Sequence, residues 1–411
     1  MNANTKDSLY KRMILRNLYF TNMLSCAELS DRIDKSLPLT MRILTELIEE
    51  GYVLETGYAP SSGGRRPLMY SIKPDIMYVV AVAMDQFVTR IVIMDMGNNY
   101  ISEVEKFELS LANEGNGLDV LIDRINEVIV KSGIDKEKIA GVGIGMPGFV
   151  NTREGVNYTF LNAPKGYSIV DYLSAKLELA VLIDNDSSLV GLSELRFGSA
   201  RKRKNVMVIN IGWGIGLGLI VNGELFRGNN GFAGEFSHIP LFSNGKLCGC
   251  GKTGCLETET SLGVVIEKAK EGLRGGQVSI LSHKLLEDNS PEHCCELIMS
   301  AARKGDRFAV KLFSEAGFNI GRGVAILIHV LNPELIILSG RGSLAGKVWE
   351  APILHALNEH CIPRLATNTE VKISSLGYEA ELIGAAALVM ENYEKEAREN
   401  LSRVKQRVFD R

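Results

Sequence analysis

Three cysteines within eight residues constrain this chain most: Cys248-Gly249-Cys250-Gly251-Lys252-Thr253-Gly254-Cys255, with His238 ten residues upstream. A structural Zn2+ ion takes four thiolate or imidazole ligands in a tetrahedron. A glycine-rich Cys-x-Cys-x4-Cys loop can fold three thiolates around one ion, and His238 can supply the fourth ligand. The alternative is three free, buried thiols beside an unrelated histidine, but glycines at this density would pack poorly without an ion to organise them. A closed, structural Zn2+ site at His238, Cys248, Cys250 and Cys255 is therefore expected. The chain holds seven cysteines, an odd number that argues against a disulfide framework. Cys294 and Cys295, beside His293, read as packed helix.

A length of 411 residues implies two to four compact units. No apolar run is long enough to span a membrane, and the polar N-terminus lacks the core of a signal peptide, so a cytoplasmic protein with no membrane partner is expected. The net charge of −3 gives no global signal for nucleic-acid binding, so any DNA-binding surface must be local.

Residues 1–72 look like a separate small domain. Apolar residues at helical spacing mark a helix over Leu9 to Tyr19. A second fits Cys26 to Lys35, with Ser25 and Glu28 as a capping box. A third, Leu39 to Glu50, would bury Thr40, Ile43, Leu44 and Leu47 and stop at Gly51. Strand-like runs at Tyr52 to Thr56 and Leu68 to Ile72 follow. Three helices and a hairpin give the order of a winged helix-turn-helix, whose partner is double-stranded operator DNA. On the recognition helix, Ser36, Met41, Arg42 and Thr45 are the outward candidates for DNA contact, with Arg42 reaching a phosphate or a guanine. In the wing, Ser61-Ser62-Gly63-Gly64-Arg65-Arg66-Pro67 offers Arg65 and Arg66 to a narrow minor groove, against the alternative of a flexible tip with solvated arginines. Nine Lys/Arg against eight Asp/Glu in this unit make charge a weak support, and pattern a better one.

From about residue 75 strands and helices alternate, which is α/β architecture. Strands are expected at Met77 to Ala83, Thr89 to Asp95, Ile139 to Gly145, Val181 to Ile183, Val206 to Ile211, Gly216 to Val221 and Leu335 to Leu338, with a helix over Gly117 to Ser132. The last stretch, Glu381 to Arg411, reads as a long helix with a highly charged outer part. On composition it is a solvated tail sooner than a docking or dimerising helix.

Glu235-Phe236-Ser237-His238, followed by the cysteine loop and Leu256-Glu257, resembles the signature of the ROK family, named for repressors, open reading frames and kinases. Gly145-Met146-Pro147-Gly148, Asn185-Asp186, Gly212-Trp213-Gly214-Ile215-Gly216-Leu217-Gly218 and Asn222 to Gly228 match further family elements, so the resemblance covers nearly the whole chain. It implies a two-lobed, actin-like, sugar-kinase-like domain over 73–411, the smaller lobe about 75–185 plus part of the C-terminal helix and the larger about 186–380. It implies that Gly148, Asn185, Asp186, Glu235, His238 and Glu257 line a sugar pocket, with His238 holding zinc through one ring nitrogen and meeting the sugar through the other. Fixed carboxylates and amides suit a carbohydrate, because unpaired buried hydroxyls are costly.

Family kinases carry a general base where Asp186 stands, and Asp-x-Gly-Gly-Thr-Lys after their first strand, where glycines let backbone amides approach phosphate. Here the sequence is Asp85-Gln86-Phe87-Val88-Thr89-Arg90, with Phe87 and Val88 in place of the glycines. Trp213 stands where kinases usually have threonine, and Ser339-Gly340-Arg341-Gly342 keeps only part of the adenine-side glycine run. The expectation is a non-catalytic, sugar-responsive regulator of carbohydrate-utilisation genes, a repressor acting as a homodimer or homotetramer, with a sugar or sugar phosphate as effector and Asp186 as a vestigial base. Two alternatives stay open: a sugar kinase with an appended helical domain, and a regulator controlled by a protein partner.

Overall fold

Helix α1 (Ala3–Thr21) buries Ile14, Leu15, Leu18 and Tyr19 in the computed structural model, which describes residues 3–60, 66–111 and 115–409. After the short strand β1 (Leu24–Ser25), α2 (Cys26–Ile33) starts at the expected capping box: Ser25 Oγ accepts the Glu28 N–H, and the Glu28 carboxylate accepts the Ser25 N–H at 2.8 Å. The third helix, α3 (Leu37–Glu49), begins two residues before the expected Leu39. Pro38 fits its first turn, where no amide hydrogen is needed. Thr40, Ile43, Leu44 and Leu47 are its buried stripe. Strands β2 (Val53–Tyr58) and β3 (Leu68–Ile72) form an antiparallel hairpin, and β1 adds to β3. This is the winged-helix order. The hairpin tip, including Arg65, lies outside the described residues; Arg66 is exposed.

This unit is not set apart as residues 1–72 suggested. One apolar cluster runs from Ile14, Leu18 and Leu44 through Val79 and Ala81 to Leu189, Leu192, Leu382 and Leu388. Sequence periodicity marks where helices begin and end, but not that α1 has a second apolar face with a partner elsewhere.

Two five-stranded sheets follow, and they share one topology. The first contains β4 (Tyr78–Met84), β5 (Thr89–Asp95), β6 (Glu105–Phe107), β7 (Ile139–Met146) and, after the small hairpin of β8 (Val150–Asn151) and β9 (Val156–Asn157), β10 (Val181–Asn185). Helices α4 (Gly117–Ser132) and α5 (Ile169–Leu177) cover one face. The second contains β11 (Val206–Ile211), β12 (Ile215–Val221), β13 (Glu224–Leu225), β14 (Leu335–Ser339) and β15 (Glu370–Ile373). In each sheet the first three strands run as an antiparallel meander, and the last two add in parallel on the other side of the first strand. Helix α6 (Asp186–Arg196) stands between the sheets. A Cβ on Gly218 of β12 would lie 2.8 Å from the Gly191 Cα of α6, so both must be glycine for strand and helix to touch. Helices α7 (Glu257–Thr260), α8 (Leu262–Arg274), α9 (His283–Glu287), α10 (Pro291–Arg303), α11 (Arg307–Leu331), α12 (Glu350–His360) and α13 (Pro363–Ala366) pack on the second sheet, where Cys294 and Cys295 are simply buried.

The C-terminal helix α14 (Ala380–Phe409) corrects the expectation of a solvated tail. Leu382, Ala385, Ala386, Leu388 and Met390 are buried against the first sheet and α6. A Cβ on Gly143 of β7 would lie 2.0 Å from the Ala385 carbonyl oxygen, so helix and strand meet backbone to backbone. Averaged composition hid this: the apolar, small-residue stretch ends at Met390 and the charges begin at Glu391. Among the described residues, no helix is long and apolar enough to cross a membrane.

Candidate functional site

The parallel pairing of β10 with β7 sets Asn185 beside Met146, and so brings the Pro147-Gly148 turn next to the start of α6. Asn185 fastens the two together. Its side-chain oxygen caps α6 by accepting the Ser187 and Ser188 N–H groups at 3.0 and 3.2 Å, and its amide donates to the Gly148 carbonyl at 3.2 Å. Asp186 Oδ1 accepts the Ser187 N–H at 2.7 Å, which leaves Oδ2 for a ligand hydroxyl. These residues open into a cavity of about 530 Å3 between the two sheets. Glu235, His238 and Glu257 line it from the second sheet's side. All six candidates for sugar contact, Gly148, Asn185, Asp186, Glu235, His238 and Glu257, therefore face one space. Sequence reasoning missed the aromatic wall of Phe149 and Phe232, whose rings meet edge to face at 5.4 Å and offer apolar surface to the C–H face of a ring ligand.

The carboxylates here resist ionisation. Burial pushes Asp186 up to about 6, against the Ser187 hydrogen bonds and with Asp85 and Glu235 adding to the rise. Glu381 goes up to about 8, through burial first, opposed by Arg90 and reinforced by Asp186 and Asp85. Burial also raises Glu235 and Glu257, with His238 opposing it.

Beside this space, His238, Cys248, Cys250 and Cys255 place their ligand atoms within 4.8 Å of one another. Cys248 Sγ lies 3.6 Å from His238 Nδ1, and Cys250 Sγ lies 3.6 Å from Cys255 Sγ. Edges of that length suit a tetrahedron with metal–sulfur bonds of about 2.3 Å. Burial and the neighbouring sulfurs push the Cys255 thiol up to about 12. Sulfurs this close become thiolates together only around a cation, so the donor set fits a metal ion. His238 Nδ1 faces the sulfurs, while Nε2 points towards the cavity, 3.7 Å from Glu235 Oε2.

Away from the metal cluster, side chains of the two sheets' loops meet across the cavity lining. After β4, the Phe87 and Val88 N–H groups donate to Asp85 Oδ1 at 2.8 and 2.7 Å. Phe87 stacks edge-on against Trp213 at 4.9 Å. Arg341 is 4 % exposed; it donates to Glu292 at 2.8 Å, to Asp85 Oδ2 at 3.1 Å and to the Tyr378 hydroxyl. Its guanidinium lies 5.3 Å from the Trp213 ring and 4.2 Å from that of Tyr378, and the Arg90 guanidinium lies 3.6 Å from the Tyr378 ring. Arg90 also pairs with Glu381 at 3.3 Å. Tyr378 and Glu381 were not anticipated, although an isolated acid opening an apolar helical run is a signal that could have pointed to Glu381.

Ser36, at the N-cap of α3, and Met41, Arg42 and Thr45 on it are exposed. Arg42 is not idle: it donates to both oxygens of Asp7 at 3.1 and 2.9 Å and to Glu46 at 2.6 Å. Thr45 Oγ1 donates to the Met41 carbonyl at 3.0 Å.

The ROK family model matches residues 92–392. The chain belongs to the ROK family. Among its relatives, the xylose repressor of Caldicellulosiruptor bescii is 28% identical over 401 residues, covering 95% of this chain and 97% of that one. The glucokinase of Halalkalibacterium halodurans is 34% identical over 292 residues, 70% of this chain and 88% of that one. A crystal structure of a ROK family transcriptional regulator, a homologue of the E. coli MLC protein, superposes with a TM-score of 0.75 at 23% identity, covering 94% of this chain and 97% of that one. The fold is thus the two-lobed, actin-like arrangement of this family's sugar kinases, with a winged helix in front.

Proposed function

We propose that this chain is a sugar-responsive transcriptional repressor that binds its effector in the cleft and operator DNA through the winged helix, without kinase activity. One observation carries the reading. The cavity is polar where Asn185, Asp186, Glu235, His238 and Glu257 converge, while towards its other end it is lined by the side chains of Trp213 and Arg341, with Phe87 packed on Trp213, in place of a glycine loop with free amides. A phosphate loop works through backbone amides turned towards the anion; here those of Phe87 and Val88 are bound to Asp85. The xylose repressor supports the reading by matching 95% of this chain, where the glucokinase matches 70% of it.

A Zn2+ ion held by His238, Cys248, Cys250 and Cys255 supplies a structural anchor. It fixes the His238 ring so that Nε2 presents to the ligand, one shell orienting the next. Asn185 and Asp186 then bind ligand hydroxyls at the head of α6. The far end of α6 reaches the DNA-binding unit: Arg196 pairs with Glu391, which also holds Arg16 of α1 at 2.8 Å, and Phe197 packs on Tyr19 and Phe20. Sugar binding that shifts α6 therefore moves α1, and in a dimer changes the spacing of the two recognition helices. Ser36 before α3, Met41, Arg42 and Thr45 on it, and Arg65 and Arg66 of the wing make the DNA contacts, Arg42 first exchanging Asp7 for a backbone phosphate.

A coupled ATP-hydrolysis assay over a panel of sugars, run beside a thermal-shift screen of the same panel, tests this. The reading expects a sugar that raises the melting point without turnover. Robust turnover would establish the kinase alternative; no shift with any sugar would favour control by a protein partner.

A further inference from the structure

Three features of the cleft would ordinarily accept a phosphate, and the protein's own groups already occupy each. The turn after β4 has its Phe87 and Val88 amides bound to Asp85 Oδ1. The N-terminus of α6, where amides and helix dipole favour an anion, is capped from within by Asn185 and Asp186. Arg341 is already engaged by Glu292, Asp85 and Tyr378. Among the described residues, the cavity lining holds no lysine, and Arg341 is its one arginine. Against this stand five lining carboxylates: Asp85, Asp186, Glu235, Glu257 and Glu381. The metal centre does not reverse the sign, because a divalent ion among three thiolates and a neutral imidazole still carries one net negative charge.

Resting on the reading of this cleft as the effector site, we infer that the effector is an uncharged, unphosphorylated sugar, and that the cleft rejects the same sugar once it carries a phosphate. A hydroxyl donates to Asp186, Glu235 or Glu257 and satisfies them. A phosphate dianion meets carboxylates at either end, with no free array of donors, in a space where solvent screening is weak. The selection is by repulsion as well as by fit. A separate kinase acting on the sugar would thereby remove the signal.

The test is calorimetric titration of the full-length protein with matched pairs: glucose and glucose 6-phosphate, N-acetylglucosamine and its 6-phosphate, mannose and mannose 6-phosphate, with xylose alongside. The expected result is binding of a free sugar and at least a hundredfold weaker binding of its phosphate. Titrated at about pH 9, above the value of about 8 at which Glu381 ionises, Glu381→Gln removes one charge from the wall and should narrow that ratio, with melting curves checking that the variant folds. A phosphorylated sugar binding as tightly as its free form, or more tightly, overturns the inference while leaving the cleft as effector site. A ratio unchanged at that pH in folded Glu381→Gln overturns its electrostatic cause. Free-sugar binding that survives intact in Asp186→Asn overturns the effector-site reading, and the inference with it.

Discussion

Replacing Phe197 by alanine should separate sugar binding from the DNA response. Helix α6 is 11 residues long, so about 16 Å separates Asn185 and Asp186 at the cavity from Arg196 and Phe197 at the winged helix. The Phe197 ring meets Tyr19 edge-on at 5.5 Å and Phe20 at 5.8 Å; next to it the Arg196 guanidinium lies 4.9 Å from the Phe20 ring. Two aromatic pairs at about 0.5–1.5 kcal/mol each place roughly 1–3 kcal/mol in this contact. That matches the usual size of an allosteric coupling, about 1–3 kcal/mol. Phe197→Ala should thus reduce the ratio of operator affinities without and with effector by about tenfold, while effector affinity changes little, since the cavity residues are untouched. Fluorescence anisotropy of labelled operator, with and without saturating sugar, reads the ratio, and calorimetry reads the sugar. A full sugar response in folded Phe197→Ala would refute α6 as the connection.

Extracting the metal with a strong chelator, or substituting Cys248→Ser, should release one zinc per chain, read by a chromophoric zinc indicator, and weaken the effector by about 10–100-fold through loss of the His238 anchor; full sugar affinity in the metal-free protein would count against that role. Asp186 and Glu381 have raised values in the folded chain, so their contribution to stability is present below the ordinary carboxylate range and is lost as pH rises through about 6 and about 8. The melting temperature of the sugar-free protein should therefore fall across that window, and Glu381→Gln should flatten its upper half. Arg65→Ala with Arg66→Ala should lower operator affinity and reduce its salt slope by about 2, read from binding across a salt series; an unchanged slope would leave the wing without a phosphate contact.

Much of this was legible from residue order because its signals are local. The capping box of Ser25 and Glu28, the buried stripe of α3 and the long apolar strands of both sheets depend on neighbours a few residues apart; the short strands β6, β13 and β15 carry no such run and were not expected. The cluster of His238, Cys248, Cys250 and Cys255 was readable because thiolate and imidazole donors at this spacing, among so many glycines, suit little besides a metal ion. What escaped depends on distant partners. Arg341 looked like part of a degraded glycine run; only the fold brings it to Asp85, some 256 positions earlier in the chain. The burial of α14 was masked by its charged second part. Glu381, Tyr378 and the Phe149–Phe232 wall come from segments that carry no motif. The substitutions at Phe87 and Trp213 were visible separately, but that they stack on one another is a fact of the cleft.

The central claim is that one protein links a sugar in the cleft to operator DNA at the winged helix. Thermodynamic reciprocity tests it most directly: operator affinity measured with and without the sugar, and sugar affinity measured with and without the operator. The account predicts that each ligand weakens the other by the same factor. Independent binding, with both affinities unchanged by the other ligand, would contradict it.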